Sequence, residues 1–127
     1  MYKIIVTGSA GFIAPHIIEE ALNLDWDVIA VDRTEVKNKI ESPKITYLKM
    51  DVNDLTDEHL KDVDFIAHMA LITNIPYCID NPIETSHENI NTSVKLLSLS
   101  TKNKIKKFVY LSTASLYGHN KIPFVED

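Results

Sequence analysis

Residues whose types and spacing could do chemistry fall in three places. The first is the turn Thr7-Gly8-Ser9-Ala10-Gly11-Phe12-Ile13. It follows an apolar run over 2–6 and leads into Ile13, Ile17, Ile18, Ala21 and Leu24, which keep helical spacing. A glycine turn between a buried strand and a helix is an anion-binding device. Gly8 reverses the chain without a steric penalty, Gly11 lets backbone approach a ligand, and the first helical amides lack internal partners. Pro15 removes one donor where no bond was due, and Ala14 stands where a third glycine is common. The second place is Asp32, which closes the apolar run over 26–31. An acid about 20 residues past such a turn, in a unit of about 30, is a dinucleotide fingerprint. The carboxylate can accept both ribose hydroxyls, through charge-assisted bonds of roughly 1.5–3 kcal/mol. It also repels a 2′-phosphate, which points to NAD over NADP. Arg33 is the counter-argument, since an arginine could hold that phosphate. The third place is the cluster Ser112, Thr113 and Ser115, readable as reactive hydroxyls or as a strand end satisfying its own backbone.

Other chemistries lack their residues. His16, His59, His68, His87 and His119 have no metal-ligand spacing and Cys78 is alone, so no metal site is expected. No nucleophile–histidine–acid arrangement supports a hydrolase. A net charge of −5 gives no electrostatic case for nucleic acid, and Lys102, Lys104, Lys106 and Lys107 read as a solvated helix end. The single cysteine fits a reducing compartment, and the N-terminus lacks a signal-peptide pattern. No apolar run approaches the roughly 18 residues of a membrane span. A cytoplasmic protein is expected.

These residues need a scaffold. The 127 residues, 45% apolar and 24% charged, suit one globular domain over 1–127. Strands are expected over 2–6, 26–31, 45–49, 63–68 and 108–112. Helices are expected from about 13 to 24, over 57–61 with Thr56 as cap, and over 83–103, where Ile90, Val94 and Leu97 keep helical spacing. Asn23 or Asp25 should take the left-handed cap of the first helix. Residues 34–43 read as a loop, and 71–82, with two prolines, as an irregular one. Strands that are apolar throughout and alternate with helices imply a doubly wound α/β fold. Its parallel sheet takes the Rossmann-type order 3-2-1-4-5. Gly8, Asp32, Asp51, His68 and Ser112 then share the C-terminal strand ends, where ligands bind.

With those ends placed, the chain resembles the N-terminal half of an extended short-chain dehydrogenase/reductase. The likeness is to the NAD-dependent sugar-nucleotide epimerases and dehydratases. It rests on TGSAGFI at 7–13, VD at 31–32, DV at 51–52, HMA at 68–70, NINTS at 89–93 and LSTASLYG at 111–118. The resemblance implies NAD as cofactor. Amides at Phe12 and Ile13 would hold pyrophosphate, Asp32 the adenosine ribose, and Asp51 and Val52 would border adenine. Ala70 would lie against the cofactor and Asn89 would sit on the helix backing the site. Leu71 and Thr92 stand where the family has a small residue and a glycine.

The same resemblance makes Thr113, with Ser112 beside it, the hydroxyl that binds the reacting sugar. A tyrosine then takes the sugar proton, and a lysine four residues on lowers that tyrosine's pKa. Tyr117 and Lys121 have this spacing, but Tyr117 matches a structural Tyr-Gly element, and Gly118, Asn120 and Pro123 oppose a helix there. The reactive pair is therefore expected beyond Asp127, with the sixth strand and the substrate-binding part, and the chain reads as truncated. The expected function is epimerisation or dehydration of a nucleotide sugar through a transient keto intermediate. The alternatives are a non-catalytic dinucleotide-binding or sensing module, and a reductase acting on a non-sugar substrate. The family pairs through two long helices, one resembling 83–103. The outer face of that helix reads as poor in large apolar residues, which leaves a homodimer open.

Overall fold

Each apolar run becomes a short strand: β1 (Lys3–Thr7), β2 (Asp27–Asp32), β3 (Ile45–Lys49), β4 (Phe65–His68) and β5 (Lys107–Tyr110). The structure, a computed structural model, describes residues 1–119 and 121–126. All four strand pairings are parallel, in the order β3-β2-β1-β4-β5. Helices α1 (Ala14–Asn23), α2 (Ile75–Asp80) and α3 (Pro82–Lys102) complete the element order with two short 3-10 turns. Alternation along β1 splits the core. Ile4 and Val6 pack with Ala14, Ile18 and Ala21 of α1, while Ile5 points the other way, toward Val52, Leu55, Leu60 and Leu96. Both faces of the central strands are thus covered, which is why those strands read as continuous apolar runs.

Asp25, at φ +63, takes the left-handed position that closes α1, rather than Asn23. The Trp26 amide donates to the Ala21 carbonyl and the Asp25 amide to that of Leu22, a Schellman closure. The end of α3 repeats it, with Lys104 at φ +54.

Four expectations need correction. Residues 57–62 make turns rather than a helix. Leu60 and Val63 must both enter the core, and the chain reverses at Asp62, φ +59, before a second helical turn can form. The loop over 71–82 contains α2, whose first turn Asn74 caps by accepting from the Tyr77 amide at 2.9 Å. Strand β5 ends at Tyr110, leaving Ser112 and Thr113 beyond it. The largest correction concerns α3. Ile83, Ile90, Val94 and Leu97 face outward and are 86, 61, 59 and 46% exposed, so the outer face is rich in large apolar residues. The inner face is mostly polar, with Thr85, Thr92 and Ser100 buried beside Leu96. At Thr92 and Ser93 hydrogen bonds take the place of apolar packing: Asn53 Nδ2 donates to Thr92 Oγ1 at 3.0 Å, and Ser93 Oγ lies 3.0 Å from His68 Nε2.

Two carboxylates tie the ends of elements together. Asp64 accepts from Lys106 Nζ at 2.7 Å and from the Lys3 amide at 2.9 Å. Lys106, then the Lys3 amide, hold its carboxyl below the ordinary carboxylate range. Asp57 is lowered by Lys102 and then Asn103. A depressed carboxyl contributes stability that is present above its unfolded pKa and lost as pH falls through the folded one. Acid unfolding should therefore show a limb below about pH 4. Asp64→Asn should flatten it in denaturant melts taken across that range.

Candidate functional site

The C-terminal ends of β1, β2 and β4 open into one groove of about 420 Å³. Gly8, Gly11, Phe12, Ile13, Asp32, Arg33, Asp51, Val52, Ala70 and Asn89 all line it. Met69, Leu71, Ile72, Thr73, Glu88 and Thr92 also line it, and none of them was a site candidate. They belong to the loop after β4 and to α3, and the HMA and NINTS motifs were the signal that could have found them. Ser112 and Thr113 lie elsewhere, in a second depression with Tyr117, Lys121 and Phe124, and Leu111 is the residue of that segment that reaches the groove.

Gly8 sets the groove floor. Its φ is +74, and a Cβ there would stand 2.8 Å from the Met69 carbonyl carbon and oxygen. The Gly8 amide donates to the Val31 carbonyl at 2.9 Å and the Gly11 amide to that of Gly8, also at 2.9 Å. Helix α1 then starts at Ile13 with no side-chain cap and no acidic residue in its first turn. The positive end of the helix is left for an anion in the groove. Asp32 bridges the turn and β2. Its Oδ2 accepts from the Ala10 amide at 3.0 Å and its Oδ1 from the Thr34 amide at 2.7 Å. Each oxygen keeps lone-pair capacity for a further donor. Asp51 caps the 3-10 turn Val52–Asp54 through the Asn53 amide at 2.8 Å.

The far wall hangs on α3. Asn89 Oδ1 accepts from the Ile72 amide at 2.8 Å and its Nδ2 donates to the Ile72 carbonyl at 3.0 Å. Behind this wall lies His68, fully buried, with Nδ1 2.8 Å from Thr7 Oγ1. Thr7 and His68 are register partners across β1 and β4. Burial pushes His68 down from 6.5 to about 4. A histidine kept neutral in the fold contributes stability that is full above its unfolded pKa and lost as pH falls toward the folded one. The loss should reach roughly 3 kcal/mol between about pH 6.5 and 4, above the carboxylate limb. Denaturant melts at pH 7 and 4.5 check this, and His68→Phe should narrow the difference.

In the second depression Thr113 caps the 3-10 turn Ala114–Tyr117, its Oγ1 accepting from the Ser115 amide at 3.2 Å. The turn stops at Gly118, φ +59, so Tyr117 and Lys121 share no helix face. The Tyr117 ring instead stacks on Phe124 at 5.2 Å. Among the described residues no group of three His, Cys, Asp or Glu side chains could hold a metal ion, and no helix is long and apolar enough to cross a membrane.

A parallel sheet in this order, with a glycine turn, an uncapped helix start and a strand-end aspartate in one groove, defines a Rossmann-type dinucleotide-binding fold. Residues 4–127 match the NAD dependent epimerase/dehydratase family, and the chain belongs to it. It is 32% identical to a putative UDP-glucose 4-epimerase of Methanocaldococcus jannaschii, over 98% of this chain and 43% of that protein. It superposes on UDP-N-acetylglucosamine 4-epimerase of Methanobrevibacter ruminantium M1, solved with UDP-N-acetylmuramic acid. There the TM-score is 0.87 and the identity 30%, over 98% of this chain and 42% of that one. Against UDP-glucose 4-epimerase of Bifidobacterium longum, solved with NAD+ and UDP, the TM-score is 0.81 and the identity 28%, over 98% and 41% of the two chains. The chain spans about two fifths of the length of these relatives.

Proposed function

We propose that this chain supplies the cofactor-holding part of an NAD-dependent epimerase/dehydratase acting on a nucleotide sugar. One observation carries the reading: Gly8, the uncapped start of α1, Asp32, Asp51 and Ala70 line a single groove at the C-terminal strand ends. In it the amides near Phe12 and Ile13 take pyrophosphate, Asp32 takes the adenosine ribose, and Asp51 and Val52 border adenine. When bound, NAD supplies reversible hydride transfer to and from a sugar carbon. The chain's own contribution is position: α3 fixes Ile72 through Asn89, and Thr113 stands in the neighbouring depression where a sugar hydroxyl could be held. Calorimetric titration of the full chain with NAD should give saturable one-site binding, and a flat titration overturns the reading. Turnover of a UDP-sugar by a polypeptide that joins this chain to the expected Tyr–Lys segment then separates the enzyme from a non-catalytic binding or sensing module. Turnover of a non-sugar ketone instead would mark a reductase. A cytoplasmic setting and no nucleic-acid or membrane partner belong to the same proposal.

A homodimer is part of it too. Ile83, Ile90, Val94 and Leu97 follow spacings of seven, four and three along the outer face of α3, the seam of a helix-to-helix contact. Ile90→Glu with Leu97→Glu should turn a dimer into a monomer in sedimentation velocity. A monomeric parent protein refutes the dimer.

A further inference from the structure

The hydrogen-bond chain behind the groove has a direction that its geometry fixes. Thr7 Oγ1 accepts from the Met69 amide at 3.1 Å and the Ala70 amide at 3.2 Å. A hydroxyl has two lone pairs and one hydrogen, so both acceptor sites are used and only the hydrogen remains. It points to His68 Nδ1, 2.8 Å away, so that nitrogen must be the acceptor. The proton of a neutral imidazole then sits on Nε2 and is donated to Ser93 Oγ at 3.0 Å. Ser93 in turn donates its own hydrogen to the Asn89 carbonyl at 2.8 Å. Every hydrogen in the line is donated once, in one sense. The ring meets Phe108 and Tyr110 of β5, and among the described residues its nitrogens pair with the hydroxyls of Thr7 and Ser93 rather than with a carboxylate.

We propose that His68 is a positioning residue for the groove: held as the Nε2–H tautomer, it orients the Thr7 hydroxyl so that both Thr7 lone pairs grip the Met69 and Ala70 amides. Those two residues, with Leu71 and the Asn89-held Ile72, form the groove wall. They also stand against Gly8 at the floor, where Met69 and Ala70 backbone atoms limit the space over its Cα. The opposite tautomer would aim an N–H at a hydroxyl already committed to two donors. It would leave the wall amides competing for one oxygen and Ser93 without a donor.

The inference rests on the dinucleotide reading for its consequence, but not for its test. On the full chain, nitrogen–proton correlation of the imidazole should show the proton on Nε2 and none on Nδ1. The Met69 and Ala70 amides should be protected from exchange. Thr7→Ser, which keeps the hydroxyl, should preserve both signals. Thr7→Val should speed exchange at both amides at least about tenfold, the equivalent of one hydrogen bond. His68→Phe fills the ring volume without accepting, and should speed exchange at both amides and weaken NAD binding about tenfold. Should His68→Phe not fold, Ser93→Ala removes the acceptor of Nε2–H together with the Ser93 bond to the Asn89 carbonyl on its own helix, and should leave the Thr7 grip partly loosened and exchange faster than in the parent. A proton on Nδ1, or parent-like exchange in Thr7→Val, overturns the proposal. So does parent-like exchange in whichever of His68→Phe and Ser93→Ala folds. Failure of the parent protein to bind NAD defeats the functional reading alone, because the tautomer and exchange measurements need no cofactor.

Discussion

Gly8→Ala should lower stability by roughly 3 kcal/mol or more, enough to unfold much of a marginal domain. Two costs combine. The backbone is at φ +74, where a Cβ costs about 1–2 kcal/mol. The new methyl would also stand 2.8 Å from Met69 carbonyl atoms and 2.9 Å from the Ala70 amide nitrogen. Those are backbone atoms held by Thr7, so they cannot swing aside as a side-chain tip would. Gly118 separates the two costs. It has φ +59 and ψ −133 but nothing within 4 Å of an added Cβ, so Gly118→Ala should cost only the conformational part, about 1–2 kcal/mol. Urea unfolding of the two variants side by side is the measurement. Equal losses would mean that the wall yields, and that close packing of β1 against the loop after β4 is not what selects glycine.

Asp32→Ala should weaken NAD binding about 10- to 100-fold, the loss of a charge-assisted bond worth roughly 1.5–3 kcal/mol. The same change should narrow discrimination against NADP, because it removes the repulsion of a 2′-phosphate while Arg33 stays beside the groove. Asp32 also works in the free chain, gripping the Ala10 and Thr34 amides. A modest fall in urea midpoint should therefore accompany the affinity change. Unchanged NAD affinity with a lowered midpoint would leave Asp32 as a latch of the turn and remove it from ribose recognition.

Sequence made the sheet legible because its central strands are buried on both faces. Ile4, Ile5 and Val6, or Val28 to Val31, leave few alternatives to a parallel core strand. The first groove residues were legible for a related reason: strand ends are marked by a change from apolar to glycine or acid. The facing of α3 was not. Ile90, Val94 and Leu97 define a stripe, and a stripe has the same period whether it meets a sheet or faces outward. Apart from Asn89, the inner face escaped notice because it is mostly polar, and Thr92 and Ser93 find their partners, Asn53 and His68, in distant segments. Helix α2 was hidden by its length, since six residues give less than two turns of period. Asn74 two places before Pro76 was the available signal. The Thr7–His68 pairing needed strand register, which puts residues 61 positions apart side by side.

Helix α3 is polar toward the groove and apolar away from it, and the two faces share residues that are immediate neighbours: Asn89 beside Ile90, Ser93 beside Val94. Both faces belong to one helix of 21 residues. Anything seated on the outer stripe and anything filling the groove therefore act on one mechanical element. If either event restrains the helix, thermodynamic reciprocity makes each strengthen the other by the same factor. Occupancy of the groove would then be written into the mass of the particle, and association into the grip on its ligand.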